Sequence, residues 1–378
     1  MSDVDLRGRH VLILNWRDTC HPEGGGSELY VEQMGRGLVD RGARVTMLCP
    51  RFRGSRRREV HHGMQIRRVG SRLTIYLLVP LMALFRRLPR HDVVVEIQNG
   101  VPFLASAYLR TPVLVVVHHI HREQWVILFK PMAARFGWWL ESRVAPHVAR
   151  HSHYVTVSEA TRHELAGLGV DPARISVVHN GSPERGDVMA GERSATPEIV
   201  VLGRLVPHKR VEIAIDALRA LAERHPDLRL TVVGEGWWHH SLLTHAESSG
   251  VADRVTFTGR VSEADKHVLL ARAWVNVMPS VKEGWGLVVV EAGLHRTPTV
   301  AFRSAGGVRE SIKDGETGLL ADDPADLVAC VERILDDEHL REDLGTRAEK
   351  HARSFEWPAS QAAFAAEVAQ RVRQPDQS

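Results

Sequence analysis

The chain has 378 residues, 44% apolar and 25% charged, with 49 Lys and Arg against 46 Asp and Glu for a net charge of +3. That length holds two domain cores, and that composition excludes a disordered, collagen-like or disulfide-scaffold chain. Three cysteines, Cys20, Cys49 and Cys330, show neither metal-ligand spacing nor even pairing, and read as reduced thiols of a cytoplasmic protein.

The first element is a short apolar strand at 10–15, followed by the glycine loop Pro22-Glu23-Gly24-Gly25-Gly26-Ser27. Leu29, Met34, Leu38 and Val39 then mark a helix, and 44–49 a second strand. This is a β-α-β unit, the building block of a parallel sheet. Residues 51–90 carry eleven Arg against one acid, Glu59, about +10 in a chain of +3, so the remainder is net acidic. Within that segment, 75–85 is an apolar run between Arg72 and Arg86-Arg87. Two readings stay open for it: a core or acceptor-pocket helix, complicated by Pro80, or peripheral contact with an anionic membrane surface. No run reaches the roughly 18–20 apolar residues that span a bilayer, and the first residues do not read as a signal peptide. No nucleic-acid-binding module accompanies the charge, so no nucleic-acid partner is expected. Trp125, Phe129, Phe136, Trp138 and Trp139 form an aromatic stretch that walls an acceptor pocket or fills the core.

Further buried strands are expected at 92–97, 113–117, 154–157 and 175–179. Residues 183–197 are polar and read as a linker. The same rhythm then restarts, with a strand at 199–202 and an amphipathic helix marked by Val211, Ala214, Ile215, Leu218 and Leu221. More strands are expected at 228–233, 255–258, 275–278 and 299–302. Two such halves imply an α/β protein of two doubly wound, Rossmann-like domains facing a cleft, with ligands at strand C-termini.

The most informative stretch is Glu283-Gly284-Trp285-Gly286, then Leu287-Val288-Val289-Val290 and Glu291-Ala292. A strand, a glycine loop and a helix follow in order, with one Glu before the helix and one on its second turn. The helix start suits a phosphate, and carboxylates beside it accept hydrogen bonds from sugar hydroxyls. Gly203-Arg204-Leu205-Val206-Pro207-His208-Lys209, after the first strand of the second half, brings two cations to one diphosphate. Gly25-Gly26 let backbone amides approach a phosphate at the following helix start. Val117 ends a strand on His118-His119, with His121 beyond. These imidazoles invite a metal reading, but no carboxylate or Cys completes a ligand set. The one Asp-x-Asp near a strand, Asp3-Val4-Asp5, sits at the chain start and is read as incidental.

Together these motifs resemble the Glu-x7-Glu retaining glycosyltransferases of the GT-B fold, family four, also called glycosyl transferases group 1. The resemblance covers most of the chain, with Trp285 where the family usually has Phe. It implies that Glu283 faces the donor sugar and Glu291 the nucleotide ribose, while Arg204 and Lys209 stabilise the leaving diphosphate. His118, six residues after Pro112, is implied to help orient the reacting groups, with His119 as competitor. Gly25, Gly26, Gly203, Gly234, Gly284, Gly286 and Leu287 are implied to line the donor site. The family's usual chemistry needs no protein base and no metal, since a phosphate oxygen helps take the acceptor proton. The resemblance also implies a last helix crossing back onto the N-terminal domain, approached through Ser354-Phe355-Glu356-Trp357. Expected boundaries are 1–183 for the acceptor-side domain, 184–196 for the linker, 197–355 for the nucleotide-sugar domain and 356–378 for the crossover helix and tail. The expected partners are a nucleotide-sugar, with UDP favoured over GDP, and a glycan, lipid or small-molecule acceptor, with no cofactor. The rival readings are a non-catalytic sugar-nucleotide or glycan-binding protein, a peripheral membrane scaffold, and a related epimerase or phosphorylase.

Overall fold

The computed structural model describes residues 4–182 and 192–373. The chain forms two compact units, residues 1–181 with 357–378 and residues 182–356. Residues 184–191 of the expected linker lie outside the described residues, as does Asp3. At the linker's end, Arg193 donates to the Ala273 carbonyl and the Ser194 N–H to the Arg272 carbonyl at 2.9 Å, both in the second unit.

The first unit starts with β1 (His10–Leu14), α1 (Gly26–Asp40) and β2 (Arg44–Cys49). A hairpin of β3 (Arg58–His61) and β4 (Met64–Arg68) leads to α2 (Ile75–Leu84) and β5 (Val93–Gln98). Then come β6 (Val113–Val117), α3 (Arg122–Leu128), α4 (Pro131–Trp139), α5 (Ala145–Val148), β7 (His153–Thr156), α6 (Glu159–Gly167) and β8 (Ile175–Val177). The strands order as β3-β4-β2-β1-β5-β6-β7-β8, and every pairing is parallel except β3 with β4. Every residue of β5 and β6 is buried, as expected for central strands covered on both faces. The chain runs outward from β1 in both directions, so the switch point lies between β1 and β5.

Two features of the basic segment differ from expectation. The hairpin is hidden in the sequence because arginines interrupt the alternation; Met64 and Ile66 are buried while Gln65 is exposed. Arg68 is also buried and pairs with Asp18 at 2.7 Å and Glu59 at 2.8 Å, so part of the basic charge is internal. The apolar run is helical through Pro80, yet α2 buries only Ile75 and Val79. It therefore joins the core through Ile75 and Val79 and leaves its other side exposed, so burial alone does not choose between the two readings.

The helix Trp357–Arg373 returns to the first unit and packs along α1. Phe364 meets Tyr30 edge-on at 6.4 Å, Gln361 donates to Gln33 at 3.2 Å, and Ser176 donates to Glu367 at 2.7 Å.

The second unit holds β9 (Glu198–Leu202), α7 (Glu212–Leu221), β10 (Arg229–Val233), α8 (His239–Ser248) and β11 (Val255–Gly259). It continues with α9 (Glu263–Arg272), β12 (Val275–Met278), α10 (Leu287–Leu294), β13 (Thr299–Phe302), α11 (Val308–Ser311) and β14 (Gly318–Ala321). Two helices, α12 (Pro324–Asp336) and α13 (Glu338–Ala352), finish it. The sheet is parallel in the order β11-β10-β9-β12-β13-β14, with its switch point between β9 and β12. Those two strands pair only at Val275↔Ile199 and Asn276↔Val200, so their C-terminal ends separate and leave a crevice.

Phe364 is 2% exposed against α1. Phe364→Ala is expected to cost about 3–5 kcal/mol, read as a lower urea midpoint for the first unit. An unchanged midpoint would mean that the returning helix adds little.

Candidate active site

The crevice of the second unit is lined by loops that touch backbone to backbone. The Glu283 N–H donates to the Ala305 carbonyl at 2.8 Å, and the Gly307 N–H donates to the Glu283 carbonyl at 3.0 Å. A Cβ on Gly307 would lie 1.9 Å from the Gly284 oxygen. Across the crevice, a Cβ on Gly234 would lie 2.0 Å from the Gly203 oxygen. Only glycine permits these approaches, which hold the strand-end loops in fixed positions.

Within this frame, Lys209 Nζ donates to Glu283 Oε1 at 2.5 Å. Lys209 ends the short 3-10 turn Pro207–Lys209 after β9, and Glu283 lies in the loop after β12. The Glu283 side chain is 14% exposed. Burial pushes its carboxyl up, but the Lys209 charge and hydrogen bonds from Lys209 and Ser280 outweigh burial and hold it below the usual range. The carboxylate is therefore ionised at neutral pH. Arg204 is half-buried in the same loop as Lys209 and makes no ion pair among the described residues. One cation is thus engaged by a carboxylate while the other is available for an anion.

Helix α10 starts at Leu287 after Gly286, whose φ of 93° is left-handed. Of its first-turn N–H groups, that of Val289 donates to the Gly286 carbonyl at 2.9 Å, whereas those of Leu287 and Val288 precede the first intrahelical acceptor. Glu291 lies on the second turn, where its Oε1 accepts from Lys266 Nζ of α9 at 2.8 Å. Lys266 also donates to Glu263 at 2.5 Å. Burial alone would lower the Lys266 ammonium, but the two carboxylates raise it. Glu291 Oε2 keeps no protein partner among the described residues. Lys266 belongs to no motif and becomes visible only when α9 packs beside α10, whereas Ser280 stands in the Pro279-Ser280 step just before Glu283.

In the first unit, Gly25 and Gly26 open α1 beyond the loop that follows β1, and His118 directly follows β6. The Gly25 N–H already donates to Glu28 Oε2 at 2.8 Å, and the Gly24 N–H to the His21 carbonyl at 2.8 Å. The helix start at Gly26 is therefore what remains for a ligand. His118 is 5% exposed and meets Tyr30 of α1 edge-on at 5.2 Å. Its Nε2 has no hydrogen-bond partner among the described residues. Burial, with a smaller push from His121, lowers this imidazole to about 3, so it is neutral at working pH. His119 is occupied by Gln124 at 3.1 Å, and His121 Nδ1 by Glu141 at 2.8 Å. The three histidines thus have separate tasks. Among the described residues, the group whose ligand atoms lie close enough for a metal is Glu32, His61 and His62, within 4.8 Å of one another. Thr19, His61 and His62 already meet the Glu32 oxygens, which ties the β3–β4 turn to α1.

Two family profiles match this chain in sequence: Glycosyltransferase Family 4 over residues 24–184 and Glycosyl transferases group 1 over residues 189–351. The chain belongs to the group 1, family-four glycosyltransferases. This glycosyltransferase-family chain is 33% identical over 228 residues to the D-inositol 3-phosphate glycosyltransferase of Corynebacterium glutamicum, across 55% of this chain and 54% of that one. It is likewise 33% identical over 232 residues to the glycogen synthase of Mycobacterium tuberculosis, across 58% and 56%. The match thus spans about half the length of these curated relatives. Among solved structures, the sucrose-phosphate synthase of Thermosynechococcus elongatus superposes with a TM-score of 0.79 at 19% identity, covering 96% of this chain and 98% of that one. HepE of Anabaena, solved with UDP-glucose, superposes with a TM-score of 0.74 at 19% identity, covering 96% and 100%. The fold is GT-B: two parallel-sheet α/β domains.

Folding lowers His118 from the imidazole range near 6.5 to about 3. In that window the unfolded chain binds the extra proton, so stability falls as pH drops. His118→Gln is expected to remove up to about 1.4 kcal/mol per pH unit from this slope, read by urea denaturation between about pH 6.5 and pH 4. His295, held at about 4 by burial, contributes equally in both proteins. An unchanged slope would contradict the buried neutral His118. Gly307→Ala is expected to cost about 1–3 kcal/mol and to weaken any ligand bound at the crevice; unchanged melting would contradict the loop contact.

Proposed function

We propose that this chain is a retaining, metal-independent glycosyltransferase that moves a sugar from a nucleoside-diphosphate donor to an acceptor hydroxyl. The observation that carries this reading is the Lys209–Glu283 pair at the switch point, beside the uncommitted Arg204 and the start of α10. The second unit supplies cations where a diphosphate would leave and carboxylates where hydroxyls would sit. HepE, a structural neighbour, was solved with UDP-glucose, which supports a UDP-sugar as donor.

In this reading the bond from the anomeric carbon to the diphosphate oxygen breaks, and a bond to the acceptor oxygen forms on the same face. The acceptor proton passes to a phosphate oxygen of the departing diphosphate. Arg204 and Lys209 stabilise the charge that develops there. Glu283, ionised and oriented by Lys209, accepts hydrogen bonds from the donor sugar. Glu291, oriented by Lys266, does the same for the ribose through its remaining oxygen. Neutral His118 offers an unfilled Nε2 to a hydroxyl in the first unit.

The test is release of UDP from UDP-glucose with water as acceptor, followed by NMR in EDTA. The α anomer should appear first, and Lys209→Ala should slow release by about a hundredfold or more while circular dichroism stays unchanged. First appearance of the β anomer would overturn retention. A rate that collapses in EDTA and returns with magnesium would overturn metal independence. Wild-type turnover in Lys209→Ala would remove that residue from the chemistry.

A further inference from the structure

Two stripes of exposed apolar side chains stand on one layer of the first unit. Helix α2 buries Ile75 and Val79 but exposes Leu77, Leu81 and Leu84, spaced near the helical repeat on its other side, with Leu73 exposed just before it and Phe85 just after. Leu77 is 70% exposed. Helix α4 repeats the pattern with Met132, Phe136 and Trp139, at 87%, 59% and 51% exposure. Between them in sequence, α3 and the turn after it expose Val126, Ile127 and Phe129. The buried sides of both elements join one core cluster, through Ile75 and Val79 of α2 and through Trp138 of α4. Helices that are apolar on two sides need a second apolar medium, and exposed patches of this kind mark interaction surfaces.

The charge around the stripes states which medium. Arg72, Arg86, Arg87 and Arg90 flank α2, all exposed, and residues 72–90 contain no acid. Arg122, Lys130, Arg135 and Arg143 are exposed around α3 and α4, against one exposed acid, Glu123. Apolar side chains edged by arginine and lysine fit the acyl–headgroup boundary of an anionic bilayer.

This surface is also fastened to the site. Glu141 lies in the π-helical turn Leu140–Val144 that continues α4, a local form frequent at functional sites. Its Oε1 accepts from His121 Nδ1 at 2.8 Å and from the His121 N–H at 3.1 Å, while its Oε2 accepts from Trp125 Nε1 at 2.8 Å. Trp125 lies against Gly137, where a Cβ would come within 2.4 Å of the indole. Helices α3 and α4 are therefore tied to the loop carrying His118.

We propose that α2 and the α3–α4 hairpin dock the first unit onto an anionic membrane surface, holding the His118–His121 loop at a fixed height above the lipid. The docking itself is independent of the transferase reading.

The test is flotation of the full chain with vesicles of phosphatidylcholine and phosphatidylglycerol at about 7:3, beside vesicles of phosphatidylcholine alone. The wild type should float with the anionic vesicles, and about tenfold less with the neutral ones or in about 1 M salt. Phe136→Asp/Trp139→Asp should lower the bound fraction about tenfold, and so should Arg86→Glu/Arg87→Glu. Thermal melting and nucleotide binding, read on the same variants, should stay at wild-type values, because these residues are exposed and lie outside the second unit. A wild type that stays unbound at every composition overturns the proposal, as does undiminished, wild-type binding by both double variants. A concentration-dependent dimer in sedimentation that Phe136→Asp/Trp139→Asp dissolves would overturn it too, assigning the surface to a second copy. A nucleotide that fails to bind while the vesicles do would count against the transferase reading alone.

Discussion

A carboxylate enclosed at the end of a parallel sheet needs a counter-charge, and Lys209 supplies it for Glu283. The two residues are 74 positions apart, and they meet because β9 and β12 are neighbours at the point where the strand order reverses. Much of the second unit serves that meeting. The short pairing of β9 with β12 opens the crevice, and the glycine contacts at 203, 234, 284 and 307 fix its rims. Helix α10 then brings its amide-rich start to the same place. A favourable ion pair that is 14–23% exposed contributes little to stability through charge alone. Its weight lies in orienting a carboxylate and parking an ammonium where an anion would arrive.

The first unit solves a different problem. His118 is buried against Tyr30 and kept neutral, so its open nitrogen donates or accepts a hydrogen bond without carrying charge. Glu141 then links the neighbouring His121 to helices whose outer faces are apolar. The unit thus joins a neutral polar position to a lipophilic surface, whereas the second unit gathers charge. That division of labour matches a reaction whose leaving group is anionic and whose acceptor is held separately.

Much of this was legible in the sequence. Short Val- and Ile-rich runs such as 113–117 have one stable use, a strand buried on both faces, and the polar stretch after 182 divides two such series. The positions of Glu283, Arg204 and Lys209 after strand ends, and of Glu291 on a second helical turn, were readable because glycines mark those loops, while their roles came only from the family resemblance. What was hidden followed from contacts with no local signal. The β3–β4 hairpin is masked by arginines, one of which is internal because Asp18, 50 positions away, neutralises it. Lys266 is an ordinary helix lysine until α9 lies beside α10. The run at 75–85 stayed open between core and surface, since hydropathy reports how apolar a helix is and not how many of its faces find a partner.

The most direct measurement is thermal melting with UDP, GDP, ADP and TDP in EDTA, for the wild type and for Lys209→Ala. The account predicts selective stabilisation of the wild type by UDP, about 2.7 kcal/mol at a hundred times the dissociation constant. It predicts binding at least about tenfold weaker once the ammonium is gone. A wild type that melts unchanged with all four nucleotides would contradict a nucleoside-diphosphate site at the β9–β12 crevice.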